Sequence, residues 1–271
     1  MIHSLYRDFF RFMMSMEGSG DRWGLFVRRY YGKHRDFLSR VWLHSQGFTE
    51  QNIRERVERI RPGDYAWLQG ALELYDIEGN TAGILSHCEK LFGHIMNCTV
   101  HYDTYLFIGF FSPDAFVIEH HGESVICVGL ERYRRFRHYP LLLAHEFCHC
   151  VINRILGPGN RTLLSRLVRE GLAVHFSKLA FPGRRESEYL FLPTGAYNDL
   201  QTRERSIWQK LLKEGERIGD IFHGQNGKLP NRAGYYIGYR MVNEFIERTG
   251  KTDPAWLIEH AERISMDFPH S

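Results

Sequence analysis

The chain has 271 residues, with Lys+Arg 35 against Asp+Glu 32 and a formal net charge of +3. Hydrophobic residues at 43%, aromatics at 14% and charged residues at 25% exclude disordered, collagen-like and coiled-coil classes and leave one large globular domain or two modest ones. The near balance of charge supplies no global field for capturing nucleic acid or an anionic membrane, so neither is expected as a partner.

Residues 1–92 read as helical. Arg7, Asp8 and Arg11 interrupt the Phe- and Met-rich start before a signal-peptide core can form, so residues 1–16 are expected to make an amphipathic helix docked on the body. Trp23, Phe26, Val27, Tyr30 and Tyr31 recur at helical spacing. Thr49 is placed to cap a helix over 50–60 that Pro62-Gly63 stops, and Asp64 to cap another running to Tyr75. No uncharged stretch reaches the roughly 18–20 apolar residues of a spanning helix, so no stable membrane insertion is expected. Five cysteines, odd in number and irregularly spaced, argue against a disulfide framework and for a reducing, cytoplasmic setting.

Between 94 and 130 the pattern changes. The runs 95–102, 105–111, 116–120 and 124–130 are β-branched or aromatic, and Asp103-Thr104, Ser112-Pro113-Asp114 and His121-Gly122-Glu123 carry turn chemistry between them. This predicts a small, mostly antiparallel sheet with at least one hairpin. From Pro140 the chain turns helical again: one helix to Ile155 ended by Gly157-Pro158-Gly159, a second from about 162 to 180, then 198–217, 234–248 and 254–264. The fold class is therefore α+β. The expected division is a helical region over 1–92 and a second domain over 93–271, holding the sheet at 94–130, two helices at 140–180 and a helical lobe at 198–264.

The chemistry concentrates in Leu141-Leu142-Leu143-Ala144-His145-Glu146-Phe147-Cys148-His149, which contains His-Glu-x-x-His. Residues four apart share a helix face, so His145 and His149 present two imidazoles to one metal ion. Glu146 lies about 100° further round, beside the metal, where a carboxylate can take a proton from metal-activated water. The apolar residues on both sides make this a buried helix, in which two histidines and a glutamate are costly without a partner such as zinc. A catalytic zinc takes three protein ligands. Gly three and His six residues past the second His would supply one solution, but Ile152 and Ile155 stand there. The other solution is a Glu on a following helix, and Glu170 comes 21 residues after His149 across the Gly157-Pro158-Gly159 turn. His175, five residues later, is the competing ligand.

These pieces together resemble the gluzincin class of metallopeptidases, and more closely the YjaZ-like family of predicted zinc-dependent proteases. The segments that carry the resemblance are Ile126-Cys127-Val128-Gly129-Leu130-Glu131, the Leu-Leu-Ala-His-Glu-x-x-His segment at 142–149, Glu170-Gly171-Leu172-Ala173 and Gly234-Tyr235-Tyr236-Ile237-Gly238-Tyr239. The resemblance implies a zincin-like fold, with the small sheet packed on the zinc-binding helix. It also implies one Zn2+ ion held by His145, His149 and Glu170, with Glu146 as general base in the hydrolysis of a peptide or protein substrate. Gluzincins often place an acidic residue four positions after the ligand Glu to orient a histidine; here that position is Val174.

An oxyanion donor is also required, and Tyr235 and Tyr239, four apart on one helix face, are the candidates, with Arg240 behind them. The same tyrosines suit an amphipathic core, with Gly234 and Gly238 allowing close helix packing. In gluzincins a strand beside the zinc helix takes the substrate by main-chain pairing. The run 124–130, with Val125, Cys127 and Val128, suits that edge strand and equally an ordinary buried strand. Arg132, Arg134, Arg135 and Arg137 read as a solvated face. The alternative function is a zinc-binding regulatory or interaction protein on an inactive metallopeptidase scaffold.

Overall fold

The structure, a computed structural model, describes residues 1–18, 20–45, 47–61, 63–96, 100–110, 114–133, 136–158, 162–214, 221–222 and 229–267. Among the features expected above, Pro62, Ser112-Pro113, Arg134, Arg135 and Gly159 lie outside these residues. The chain divides into two compact units: Met1–Ile84 with His101–Arg137, and Leu85–Val100 with His138–Ser271. This division differs from a boundary at 92/93, because the strands group with the N-terminal helices.

The first unit contains β1 (Ile2–Ser4), α1 (Tyr6–Met14), α2 (Arg22–Phe26), α3 (Arg35–Ser39), α4 (Glu50–Arg59), α5 (Ala66–Tyr75) and the start of α6 (Ile77–Met96). It closes with β2 (Tyr102–Phe107), β3 (Ala115–His120) and β4 (Glu123–Gly129). Short π-helical stretches continue α2 over Val27–Tyr31 and α3 over Arg40–Ser45. Phe9, Phe12, Phe26, Tyr30 and Trp42 are fully buried and form an aromatic core. Tyr30 ties this core to the chain beyond β2: its hydroxyl donates to Ile108 O at 3.2 Å and accepts from Ile108 N at 3.1 Å. Thr49 caps α4 as expected, through a capping box with Asn52. Asp64 does not cap α5; its carboxylate accepts from Arg61 N at 2.8 Å and stabilises the preceding turn.

The sheet order is β1-β2-β4-β3. Two of its three pairings are parallel and only β3–β4 is antiparallel, which corrects the expectation of a mostly antiparallel sheet. The expected hairpin is present, with His121 (φ 53°) and Gly122 (φ 80°) as the two left-handed central residues that a type I′ turn requires. Its second strand, however, inserts between β2 and β3. The expected strand over 95–102 is also corrected, since α6 continues to Met96, and Asp103-Thr104 is no turn but part of β2. The short β1 interrupts the helical reading of residues 1–92.

In the second unit α7 (Tyr139–Leu156) and α8 (Leu163–Ala180) form an antiparallel pair, followed by α9 (Glu186–Tyr189), α10 (Thr194–Thr202), α11 (Glu204–Glu214), α12 (Ala233–Thr249), α13 (Pro254–Glu259) and α14 (Ala261–Asp267). Pro140 lies in the first turn of α7, where a missing N–H costs nothing, and Gly157 ends the helix at φ 79°. Thr162 caps α8 by accepting from Ser165 N at 3.1 Å. The helix α8 is central: it packs against α7, α12, α13 and α14. Its approach to α12 is closest at two glycines, for a Cβ on Gly238 would stand 2.0 Å from Leu167 O, and one on Gly171 2.0 Å from Gly238 O.

Candidate metal centre

The α7 sequence alternates apolar anchors around its polar motif. Leu141, Leu143, Ala144, Phe147, Val151 and Ile152 are all at most 1% exposed, so the helix is sunk into its unit and carries His145 and Glu146 with it. Two side-chain clamps set the register of α8 against it. At one end Arg169 donates to Asn153 Oδ1 at 3.1 Å and to Gly157 O at 2.9 Å. At the other, Ser177 Oγ lies 3.0 Å from Leu141 O and 2.9 Å from Ala173 O, with one hydroxyl proton shared between them. Between the clamps Glu170 comes level with the two histidines.

His145 Nε2 is 3.1 Å from Glu170 Oε2 and 3.1 Å from His149 Nε2, and His149 Nε2 is 3.3 Å from Glu170 Oε2. Three atoms in mutual contact cannot all be satisfied by protons, because each imidazole nitrogen either donates once or accepts once, and one edge of the triangle is always left mismatched. A shared cation satisfies all three edges. Ligand atoms about 2.0–2.1 Å from one tetrahedral zinc stand roughly 3.3–3.4 Å apart, close to the spacing of this triangle. The donor set of two imidazoles and one carboxylate fits zinc.

Electrostatics couple the three groups tightly. Burial opposes ionisation of Glu170, yet the charge of His149 and hydrogen bonding to both histidines hold its carboxyl well below the usual carboxylate range. Burial also disfavours the charged form of His149, and the Glu170 carboxylate outweighs it, raising the imidazole. Glu146 is 5% exposed. Burial raises its carboxyl, with the charges of His145 and His149 working in the other direction.

The family of predicted Zn-dependent proteases (DUF2268) matches residues 120–266, more than half of the chain. The chain belongs to that family. The resemblance to predicted zinc-dependent proteases drawn from the sequence is upheld, and zinc is the metal this family is described as requiring. The matched stretch holds α7, α8 and α12 entire. No curated protein and no solved structure matches the chain. Among the described residues no helix is long and apolar enough to cross a membrane.

The remaining expected site residues fall in different places. His175 stands apart from the triangle, since among the described residues only His145, His149 and Glu170 group there. Its ring is 7% exposed, and burial pushes its pKa down to about 4. Tyr235 puts its ring 6.1 Å from that of His145, flanked by Phe222 and by the Arg232 guanidinium. Tyr239 is 2% exposed and engaged elsewhere: its hydroxyl bonds to the Glu186 carboxylate and accepts from Lys178 Nζ at 3.2 Å. Arg240 pairs with Glu204 and Glu244. Val125, Cys127 and Val128 do not lie on an edge strand. β4 is hydrogen-bonded on both sides and all three residues are at most 2% exposed, so no peptide can add to it. The continuous apolar run Val125-Ile126-Cys127-Val128 is itself the signature of a central strand. Arg169 and Ser177, which set the helix register, carried no signal in the sequence, being two of several polar residues on α8.

Proposed function

We propose that this protein is a gluzincin-type peptidase that hydrolyses peptide bonds in a peptide or protein substrate, with His145, His149 and Glu170 holding one zinc ion and Glu146 acting as general base. The observation that carries this reading is the triangle of Nε2, Nε2 and Oε2 at 3.1–3.3 Å, which protons alone cannot satisfy. Zinc held there supplies Lewis acidity, polarising a carbonyl and lowering the pKa of water. Glu146 takes the proton from the attacking water and returns it to the leaving amine. Tyr235, beside His145, donates to the oxyanion that forms at the scissile carbonyl; Tyr239 is the weaker candidate, its hydroxyl being committed to Glu186.

The test is Glu146→Gln. Zinc content measured by elemental analysis is expected to match the parent, while hydrolysis of a peptide library falls by about 10^2–10^4-fold, the contribution of a positioned general base. A variant that cleaves as well as the parent would refute the base. A parent that holds zinc yet cleaves nothing would favour the regulatory scaffold instead.

A further inference from the structure

The first unit carries a second group of metal-type donors, far in sequence from the helix pair. Asp36 on α3 and the two histidines at the β3–β4 turn, His120 and His121, each offer one ligand atom within 4.8 Å of the others. Asp36 Oδ2 is 2.7 Å from His121 Nε2 and 3.4 Å from His120 Nε2. Consecutive strand residues ordinarily point to opposite faces. Here the left-handed conformation of His121 swings its ring back beside that of its neighbour, and the two centroids are 4.1 Å apart. The turn geometry thus converts a sequential His-His pair into a convergent one.

The His120 ring is fixed in place. Its side chain is 10% exposed and packs edge-on against Phe37 at 6.0 Å and Tyr105 at 6.2 Å. Asp36 and His121 are both 74% exposed and free to adjust by a few tenths of an ångström. The recess around them, about 680 Å³, is also lined by Arg35, Ser39, Arg40 and Glu119. Arg40 donates to Glu119 O at 3.2 Å, which fixes where its guanidinium sits.

We propose that Asp36, His120 and His121 form a binding site for a borderline divalent transition-metal ion of the Zn2+ or Ni2+ kind. Two imidazole nitrogens and one carboxylate select such ions over Mg2+ and Ca2+, which take oxygen donors. Three protein ligands leave the outer face of the ion to water or to an incoming donor group. The ion would join α3 to the β3–β4 hairpin, two elements 85 residues apart in the chain.

The experiment is zinc binding to the full chain, stripped with chelator and exchanged into chelator-free buffer, by equilibrium dialysis with elemental analysis. The probe variant is Asp36→Asn with His121→Asn, since Asn tolerates the left-handed conformation at 121 that Ala does not. The control is His149→Ala with Glu170→Gln, which removes donors only from the helix pair. Circular dichroism establishes that both are folded. The expected result is one metal equivalent fewer in the Asp36/His121 variant than in the parent, while the control still binds the equivalent assigned to Asp36, His120 and His121. Equal stoichiometry in parent and Asp36/His121 variant overturns the proposal, whatever the helix pair binds.

Discussion

Gly238→Ala is the sharpest probe of how the second unit is held together. The added Cβ would stand 2.0 Å from Leu167 O and 3.1 Å from Gly171 N. A carbon–oxygen contact needs about 3.3 Å, so α12 must retreat from α8 by roughly 1.3 Å. The obstacle is backbone carbonyl, with no flexible side chain to swing aside. Overpacking of this kind costs about 3 kcal/mol, offset by the ~1 kcal/mol that Ala gains over Gly in a helix interior, leaving a net loss of about 2 kcal/mol. That is roughly a 30-fold drop in the folding equilibrium constant. Gly171 faces this contact and directly follows Glu170, so the same retreat disturbs the carboxylate. Metal-site distances tolerate only about 0.2 Å, so zinc affinity is expected to fall alongside stability. Urea unfolding of the metal-free protein measures the first effect and competition with a chromophoric chelator the second. A Gly238→Ala protein as stable as its parent, with unchanged zinc affinity, would refute the argument that the α8–α12 crossing depends on absent side chains.

Gly70 in α5 is the counterpart, since a Cβ there meets nothing within 4 Å; Gly70→Ala is expected to stabilise by about 0.5–1 kcal/mol in urea unfolding, and a loss would contradict the open space seen. The two tyrosines on α12 should separate in kinetics. Tyr235→Phe is expected to lower kcat about 10^2-fold with little change in KM, while Tyr239→Phe lowers Tm by detaching Glu186 and spares kcat; the reverse pattern would move the oxyanion donor to Tyr239. Glu78 is drawn down to about 2 by hydrogen bonding from Arg7, with further contribution from Tyr6. Its contribution to stability is therefore present in full above the unfolded carboxyl value of about 4.3 and lost progressively as the pH falls towards 2. The stability gap between parent and Glu78→Gln should narrow over that window, and a gap that stays constant from pH 5 to 2 would show that Glu78 does not titrate as argued.

Much of the candidate site was legible in the sequence because it is local. The four-residue spacing of His145 and His149 specifies a shared helix face wherever the helix lies, and Gly157 followed by the Thr162 cap fixes where one helix stops and the next begins. The capping box at Thr49 and the His121-Gly122 hairpin turn were legible for the same reason, since each is settled within a few residues. The order of strands was not, because β1, β2 and β4 pair across stretches of the chain that impose no register on one another. A hairpin can add to a third strand by either of its edges, and only the burial of Val125, Ile126, Cys127 and Val128 on both faces decides which.

By itself, then, the sequence determined the chemistry on offer: two imidazoles and a carboxylate on one helix, and a second carboxylate on the next. Tertiary structure alone decided that Glu170 and not His175, and Tyr235 and not Tyr239, comes beside them. Glu170 arrives because Arg169 and Ser177 lock the register of α8, and Gly171 and Gly238 let α12 come close enough to bring Tyr235 beside His145 while Tyr239 is held by Lys178 and Glu186. The physical reason is that helix periodicity is an intrinsic property of the backbone. Register between helices is a property of the side chains that happen to fit between them.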